Sequence, residues 1–473
     1  MLKVHSDREF TNVMKQFGLT LVSEMDRYDR QLRLWGNDGQ EKLKNAHIGI
    51  LTPCYPTNLI HEVLKNVLLL GVLQITIVSM DSGEGAGTRK EDPLAFFDEK
   101  ALFGIKGLNP TGDGKKRQID WDDAKASVDW SAFSVILELD LGWKQFTAWE
   151  RFKSEAKYVN FPPSLVMLTT GRFSYYHLAL TEPHFVINTR LEHMLPVFRF
   201  NNPWYELRRF IDSIEPPTLS SEEFSKLPYP VIIFKVLEWC LEKPKSSKEL
   251  QEKIDLYLDS MKVPKNIDLN VIEAKRFAHL ATKIVDHKLQ GTLDLLDQCK
   301  HYLSIDLKKR WYSDFNKQMA ALLYCLEKYI KRFGDIPLSG EFPDMESGSA
   351  HYGALKSIYD DKKLHDLKAF KEIVYKLLGD RVPDTLVESF CNNLGFISCL
   401  SPTTTALDSL YECQGSDSLM ANTAPIGYCY PNDAFMAGLI SQEMIKIVTH
   451  QYLPINDTFK YDAFNIESGA YKL

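Results

Sequence analysis

Residues 46–78 restrict the possible folds more than any other stretch of the chain. Ala46-His47-Ile48-Gly49-Ile50-Leu51 reads as a buried strand. Thr57 to Leu70 reads as a helix, with Leu59, Ile60, Val63, Leu64 and Val67 on one face, and Gly71 ends it. Leu73 to Val78 then alternates, with β-branched residues, as a second strand. Two strands joined through a helix pair in parallel, and helices must then cover the sheet. The same texture predicts strands at Val135–Leu139, Ser164–Thr169 and Tyr175–Leu180, a helix over Phe146–Glu155 and a turn at Gly171. The fold class expected from this pattern is α/β, with a parallel sheet covered by helices.

After about residue 200 the pattern becomes helical. Ile232, Ile233, Val236, Leu237, Cys240 and Leu241 recur at helical spacing, and Ser246-Ser247-Lys248-Glu249 offers a capping box for the next helix. Phe315, Met319, Leu322, Leu323, Leu326 and Ile330 form another stripe, closed by Gly334; Tyr352, Leu355, Ile358 and Tyr359 begin a third. A last helix is expected over Asn432–His450, capped by Asn432 or Asp433, with Ala434, Phe435, Leu439, Ile440, Ile447 and Val448 as its apolar surface. Phe10, Val13, Met14 and Phe17 suggest one amphipathic helix in an N-terminal extension.

Charge and cysteine usage remove several function classes. Lys plus Arg number 56 against 63 Asp plus Glu, a net charge of −7, so nothing basic invites nucleic acid. Asp7, Arg8, Glu9, Lys15 and Glu24 interrupt any secretory leader, and the longest apolar run, Val67–Leu73, is far too short for a membrane span. No partner of either kind, nucleic acid or membrane, is expected. The eight cysteines form no CxxC pair and no zinc spacing, so no metal site is expected and free thiols in the cytoplasm and nucleus are. Lys115-Lys116-Arg117 reads as a solvated loop.

Two segments bear on nucleotide chemistry. A phosphate site in the strand–helix–strand unit needs glycines between β-strand and helix, so that backbone amides can approach the anion. Here the loop is Leu51-Thr52-Pro53-Cys54-Tyr55-Pro56-Thr57-Asn58, with no glycine and two prolines that each remove an amide donor. The second segment is Tyr28-Asp29-Arg30-Gln31-Leu32-Arg33-Leu34-Trp35-Gly36. On a helix Arg30 and Arg33 share one face while Leu32 and Trp35 share an adjacent one. Spacing alone leaves two readings open: guanidinium groups set for phosphate or carboxylate, or an ordinary charged surface helix.

That segment, followed by Gly39-Gln40, Leu43 and Ala46-His47-Ile48, closely resembles the opening of ubiquitin-like-modifier activating enzymes. Gln442 to Gln451 and Pro454 to Asp462 resemble the end of the same adenylation fold. Tyr229-Pro230-Val231-Ile232-Ile233, Ile336-Pro337 and Phe342-Pro343-Asp344-Met345 look like the helical insertion of one branch, the regulatory subunits of the Rub/Nedd-type activating enzymes. The resemblance implies a degenerate Rossmann-like adenylation fold with a large, mostly helical inserted domain. It partitions the chain into an extension at 1–27, a pseudo-adenylation domain at 28–200 plus 424–473, and the insertion at 201–423.

The resemblance also implies a role. Such a chain pairs with a catalytic subunit that holds ATP and magnesium, and itself binds no cofactor and has no catalytic residue of its own. Arg30 takes the position that reaches across to the partner's ATP, and Tyr28, Asp29, Gln31, Arg33 and Trp35 take supporting interface positions. Further implied partners are the Rub/Nedd-type modifier and its cognate conjugating enzyme. The departures from active members agree: the glycine loop is replaced, Ser79 stands where a ribose-binding acid is usual, Asp81 follows, and Ser82-Gly83-Glu84-Gly85-Ala86-Gly87 replaces a phosphate-contacting stretch, with Arg89 the one nearby candidate to substitute. Cys240 and Cys325 read as core thiols, and Cys54, Cys391, Cys399 and Cys413 lack a neighbouring histidine for thiolate chemistry. Two alternatives stay open, a divergent stand-alone ATP-dependent adenylyltransferase and the regulatory subunit of the sumoylation activating enzyme.

Overall fold

The first described helix, α1 (Glu24–Asn45), leads into β1 (His47–Pro53); α2 (Asn58–Leu69) then crosses to β2 (Gln74–Met80), which pairs parallel with β1. The structure, a computed structural model, describes residues 24–53, 57–80, 116–155, 161–187, 198–261, 268–281, 285–307, 311–403 and 429–472. The chain divides into two compact units, Met1–His184 with Ser401–Leu473, and Phe185–Leu400.

In the first unit α2 buries Leu59, Ile60, Val63, Leu64, Val67 and Leu68, the face its spacing predicted. Thr57 caps it, its hydroxyl accepting from Ile60 N at 3.3 Å. The chain continues through β3 (Lys116–Asp120), α3 (Trp121–Ser127), β4 (Val135–Leu139), α4 (Trp143–Glu155), β5 (Ser164–Thr170) and β6 (Phe173–Ala179). After the second unit it returns as helix Tyr430–Thr449 and strands Thr458–Asp462 and Glu467–Tyr471, named α14, β9 and β10 below. The eight-stranded sheet runs β10-β9-β6-β5-β4-β1-β2-β3. Strands β1 to β5 are parallel, and β6, β9 and β10 pair antiparallel. The change of sense begins at the Gly171 turn, whose positive φ of 61° lets β5 fold straight back into β6.

The second unit holds β7 (His184–Ile187, its first residue in the other unit), α5 (Tyr205–Asp212), α6 (Ser221–Ser225), α7 (Tyr229–Trp239), α8 (Ser247–Ser260), α9 (Leu269–Arg276), α10 (Val285–Gln298), α11 (Asp314–Phe333), α12 (Ser349–Leu378), α13 (Asp384–Asn392) and β8 (Ile397–Leu400), which pairs with β7. It has two cores. One gathers Phe198, Phe200, Tyr229, Ile232, Phe234 and Tyr359; the other gathers Phe185, Leu322, Leu323, Leu326, Phe370 and Phe390. The expected α11 stripe is the spine of the latter, and Gly334 ends the helix in left-handed geometry (φ 75°). Among the described residues no helix is long and apolar enough to cross a membrane.

Several local expectations need revision. Helix α7 stops at Trp239: Cys240 is extended and Leu241 lies fully exposed, ahead of Pro244. At α8 only half of the capping box forms. Ser246 accepts from Glu249 N at 3.1 Å, but the Glu249 carboxylate reaches past it to Lys245 N at 2.8 Å. Helix α14 begins two residues earlier than Asn432, with Pro431 in its first turn, so Asn432 and Asp433 are inside the helix rather than caps. Phe435 is half exposed, packed on Tyr461 with ring centroids 4.8 Å apart. Lys116 and Arg117 open the edge strand β3 rather than a loop. Residues 185–200 group with the inserted unit, because Phe198 and Phe200 belong to its core. The expected limit at 423/424 and the 10–17 stripe lie outside the described residues.

Candidate functional site

The parallel strands run in the order β3-β2-β1-β4-β5, so the winding reverses between β1 and β4. Ligands of open α/β sheets bind at such a reversal, beyond the carboxyl ends of the strands. Residues 54–56, with Cys54, are outside the described residues. Directly after β4 comes Asp140, in left-handed backbone (φ 50°). One of its carboxyl oxygens accepts from Thr169 N at 2.9 Å and from Thr169 Oγ1 at 3.0 Å. Asp433 enters from the first turn of α14 and accepts from Asn58 Nδ2 at 3.4 Å. Neighbouring Asn432 ties the same turn to the sheet, donating to Gly171 O at 3.0 Å and Ser174 Oγ at 2.8 Å.

Enclosure pushes the Asp140 carboxyl up to about 7, and the nearby Asp433 charge acts in the same direction, against the bonds from Thr169 and Thr57. Burial raises Asp433 as well. Two carboxyl groups therefore sit at the start of α2, whose first turn is already capped by Thr57. An incoming triphosphate would meet these two carboxyls there. Ser79, at the position usually taken by a ribose-binding acid, is buried in β2 and offers only a hydroxyl. Asp81, the stretch 82–87 and Arg89 lie outside the described residues.

The arginine motif lies on α1, which is two helical pieces meeting at Gly36 (φ 69°, ψ 179°). Only glycine adopts such a backbone readily. The buried Trp35 ring covers Gly39, where any Cβ would lie 2.8 Å from Trp35 Cδ1. Trp35 Nε1 donates to Gln40 Oε1 at 3.0 Å, and Gln40 Nε2 donates to Leu70 O at 2.9 Å. Tyr28 is buried against Gly71, whose φ is 91° and where a Cβ would lie 2.9 Å from the Tyr28 hydroxyl oxygen. Gln31 Nε2 donates to Leu69 O at 3.3 Å. The motif thus seats its helix on the α2–β2 turn.

Its charged residues behave differently. Arg33 pairs with Asp29 one turn back at 3.1 Å, both well exposed. Arg30 is exposed and has no hydrogen-bond or ion-pair partner among the described residues. Tyr28, Gln31 and Trp35, expected as interface residues, turn inward and hold the helix, leaving the outer face to Asp29, Arg30 and Arg33.

The described cysteines are thiols in varied surroundings. Cys325 is fully buried and pushed up to about 12, and burial also raises Cys391. Cys240 is half-buried at the end of α7, so its core placement is only partial. Cys299 and Cys399 contact each other, which lowers the first and raises the second. Cys413 lies outside the described residues. Sequence reasoning gave no site role to Asp140, Asp433, Gln40 or the loop at 450–452. Asp140 ends an apolar run, and Gln40 closes the Trp35-Gly36-x-x-Gly39 spacing, so both carried a faint signal.

No family model matches the chain. A Saccharomyces cerevisiae protein named NEDD8-activating enzyme E1 regulatory subunit is 28% identical over 480 aligned positions, covering 95% of this chain and 100% of its own. A Danio rerio protein of that name is 25% identical, covering 96% and 99%. The Arabidopsis thaliana NEDD8-activating enzyme E1 regulatory subunit AXR1 is 24% identical, covering 96% and 97%. A solved structure of E. coli MccB with AMPCPP and MccA overlaps 37% of this chain and 57% of its own, at 14% identity and a TM-score of 0.24, too low to bear on the site. Over nearly its whole length, this chain is similar to the regulatory subunits of NEDD8-activating enzymes.

Proposed function

We propose that this chain is the non-catalytic regulatory subunit of a heterodimeric activating enzyme for a NEDD8-type modifier. It pairs with a catalytic subunit that binds ATP and magnesium and adenylates the modifier's C-terminal glycine. The chain binds no nucleotide itself, and Arg30 completes the partner's ATP site across the interface. The cognate conjugating enzyme is a further partner, and the complex works in cytoplasm and nucleus.

One observation carries the division of labour. Arg30 is the motif cation with no partner among the described residues, while the chain's own sheet reversal is lined by the Asp140 and Asp433 carboxyls. A guanidinium delivered to the partner's α-phosphate region would offset charge as pyrophosphate leaves. Modifier-dependent ATP–pyrophosphate exchange tests the reading with this chain alone, the catalytic subunit alone, and both. Exchange should be strongest for the pair and absent for this chain alone. Exchange by this chain alone would make it an adenylyltransferase in its own right.

A further inference from the structure

A break in a helix strands the carbonyls of the turn before it, because their amide partners four residues on have moved away. The Gly36 kink does this inside α1. Two of the carbonyls concerned are taken by side chains from the far end of the chain. Gln451 Nε2 donates to Trp35 O at 3.0 Å, and the Tyr452 hydroxyl donates to Leu34 O. These donors lie 416 and 418 residues along the sequence from their acceptors.

The loop that presents them is tightly bent. His450 and Tyr452 both have positive φ, 57° and 60°, and neither is glycine. Residues with a Cβ hold that conformation only where their surroundings impose it. The impositions are visible: the His450 ring stacks on His184 with centroids 4.6 Å apart, and Gln451 N donates to Thr449 Oγ1 at 3.3 Å. The second piece of α1 returns a bond, Lys42 Nζ donating to Thr449 O at 3.4 Å. Both sides of the kink are thus tied to the end of α14 and its loop. Arg30 lies one helical turn before Leu34, on the piece whose last carbonyls are held.

We propose that Gln451 and Tyr452 are positioning residues for the adenylation step. Their two bonds fix the angle of the kink and so the direction in which the first piece of α1 presents Arg30 to the partner's ATP. The inference rests on the reading of Arg30 given above. Misplacement of an electrostatic group by about 1 Å costs up to about 100-fold in rate.

The test uses the assembled heterodimer, with single-turnover adenylation of the modifier as readout. Tyr452→Phe keeps the ring and removes the donor. Gln451→Ala removes the other, and Gln451→Glu sets a carboxylate against the Trp35 carbonyl. Each should lower the adenylation rate by about tenfold, with little change in the KM for ATP and with heterodimer formation intact. Added to Arg30→Ala, neither Tyr452→Phe nor Gln451→Ala should slow the reaction further, a silence that a general loss of structure would not produce. Unchanged rates in the single variants, with Arg30→Ala slow, would overturn the positioning role and leave Arg30 in place. Equal slowing in the Arg30→Ala background would overturn it also. An Arg30→Ala heterodimer as fast as wild type would overturn both readings.

Discussion

Two regions of the first unit face nucleotide chemistry in opposite ways. At the sheet reversal the polar groups are turned on one another: Asp140 is held by Thr169, and Asp433 by Asn58. On α1 Tyr28, Gln31, Trp35 and Gln40 are turned inward, and Arg30 is left without a partner among the described residues. On the proposed reading, the scaffold outlasts the chemistry it usually carries. The helices and strand order that would place a phosphate remain, but the anion place is lined by the chain's own carboxyls, while a cation is offered outward.

Arg30→Ala should break the outward-facing half of this contrast with the largest effect. Adenylation by the assembled pair should slow by about 100- to 1,000-fold, as when one electrostatic donor to a transition state is removed. Size-exclusion chromatography should show the heterodimer unchanged. Next comes the seat of the helix. Trp35→Ala removes a buried ring and the partner of Gln40, and should cost this chain about 3 kcal/mol in urea unfolding. A cost near zero would mean that the helix is held by other contacts.

The inward-facing half is read by pH. The Asp140 carboxyl sits at about 7 in the folded chain against 3.8 as an ordinary aspartate. Between those values the folded state holds a proton that the unfolded state has lost, so stability falls as pH rises through that window. Asp433 is raised too and adds in the same sense; among the described residues, Thr57, Asn58 and Thr169 face the pair. Asp140→Asn should keep an acceptor for Thr169 and flatten the decline seen in thermal melts between pH 5 and about 8. An equally steep decline in the variant would take Asp140 out of the account. The smallest effect is expected for Arg33→Ala, which loses an exposed pair to Asp29 worth about 0.3–0.5 kcal/mol. A loss above about 1 kcal/mol by chemical denaturation would give Arg33 a larger role than that pair.

Much of the α/β unit was legible because its signals are local. The 57–70 stripe, the Gly71 stop and the Gly171 turn each need only a few neighbouring residues. The motif at 28–40 was legible as a likeness, though its logic was not. That Tyr28 and Gln40 meet at Gly71, and that Gln451 and Tyr452 hold α1 at its kink, depends on residues far apart in sequence. The same holds for the carboxyl pair, since Asp140 and Asp433 come from different ends of the unit. Buried charge was missed as well. Glu138, central in β4, takes Trp149 Nε1 at 2.7 Å and lies 3.5 Å from Lys153 Nζ, a network that no spacing rule announces. Strand β3 escaped notice because an edge strand needs no apolar alternation to declare it.

On the proposed reading the pair has one nucleotide site, to which this chain contributes a side chain and not a pocket. Equilibrium binding of a non-hydrolysable ATP analogue to the purified heterodimer counts the sites directly. One analogue should bind per pair and none to this chain alone, and binding should weaken when Arg30 is replaced by alanine. Two bound per pair, or one retained by this chain alone, would contradict it.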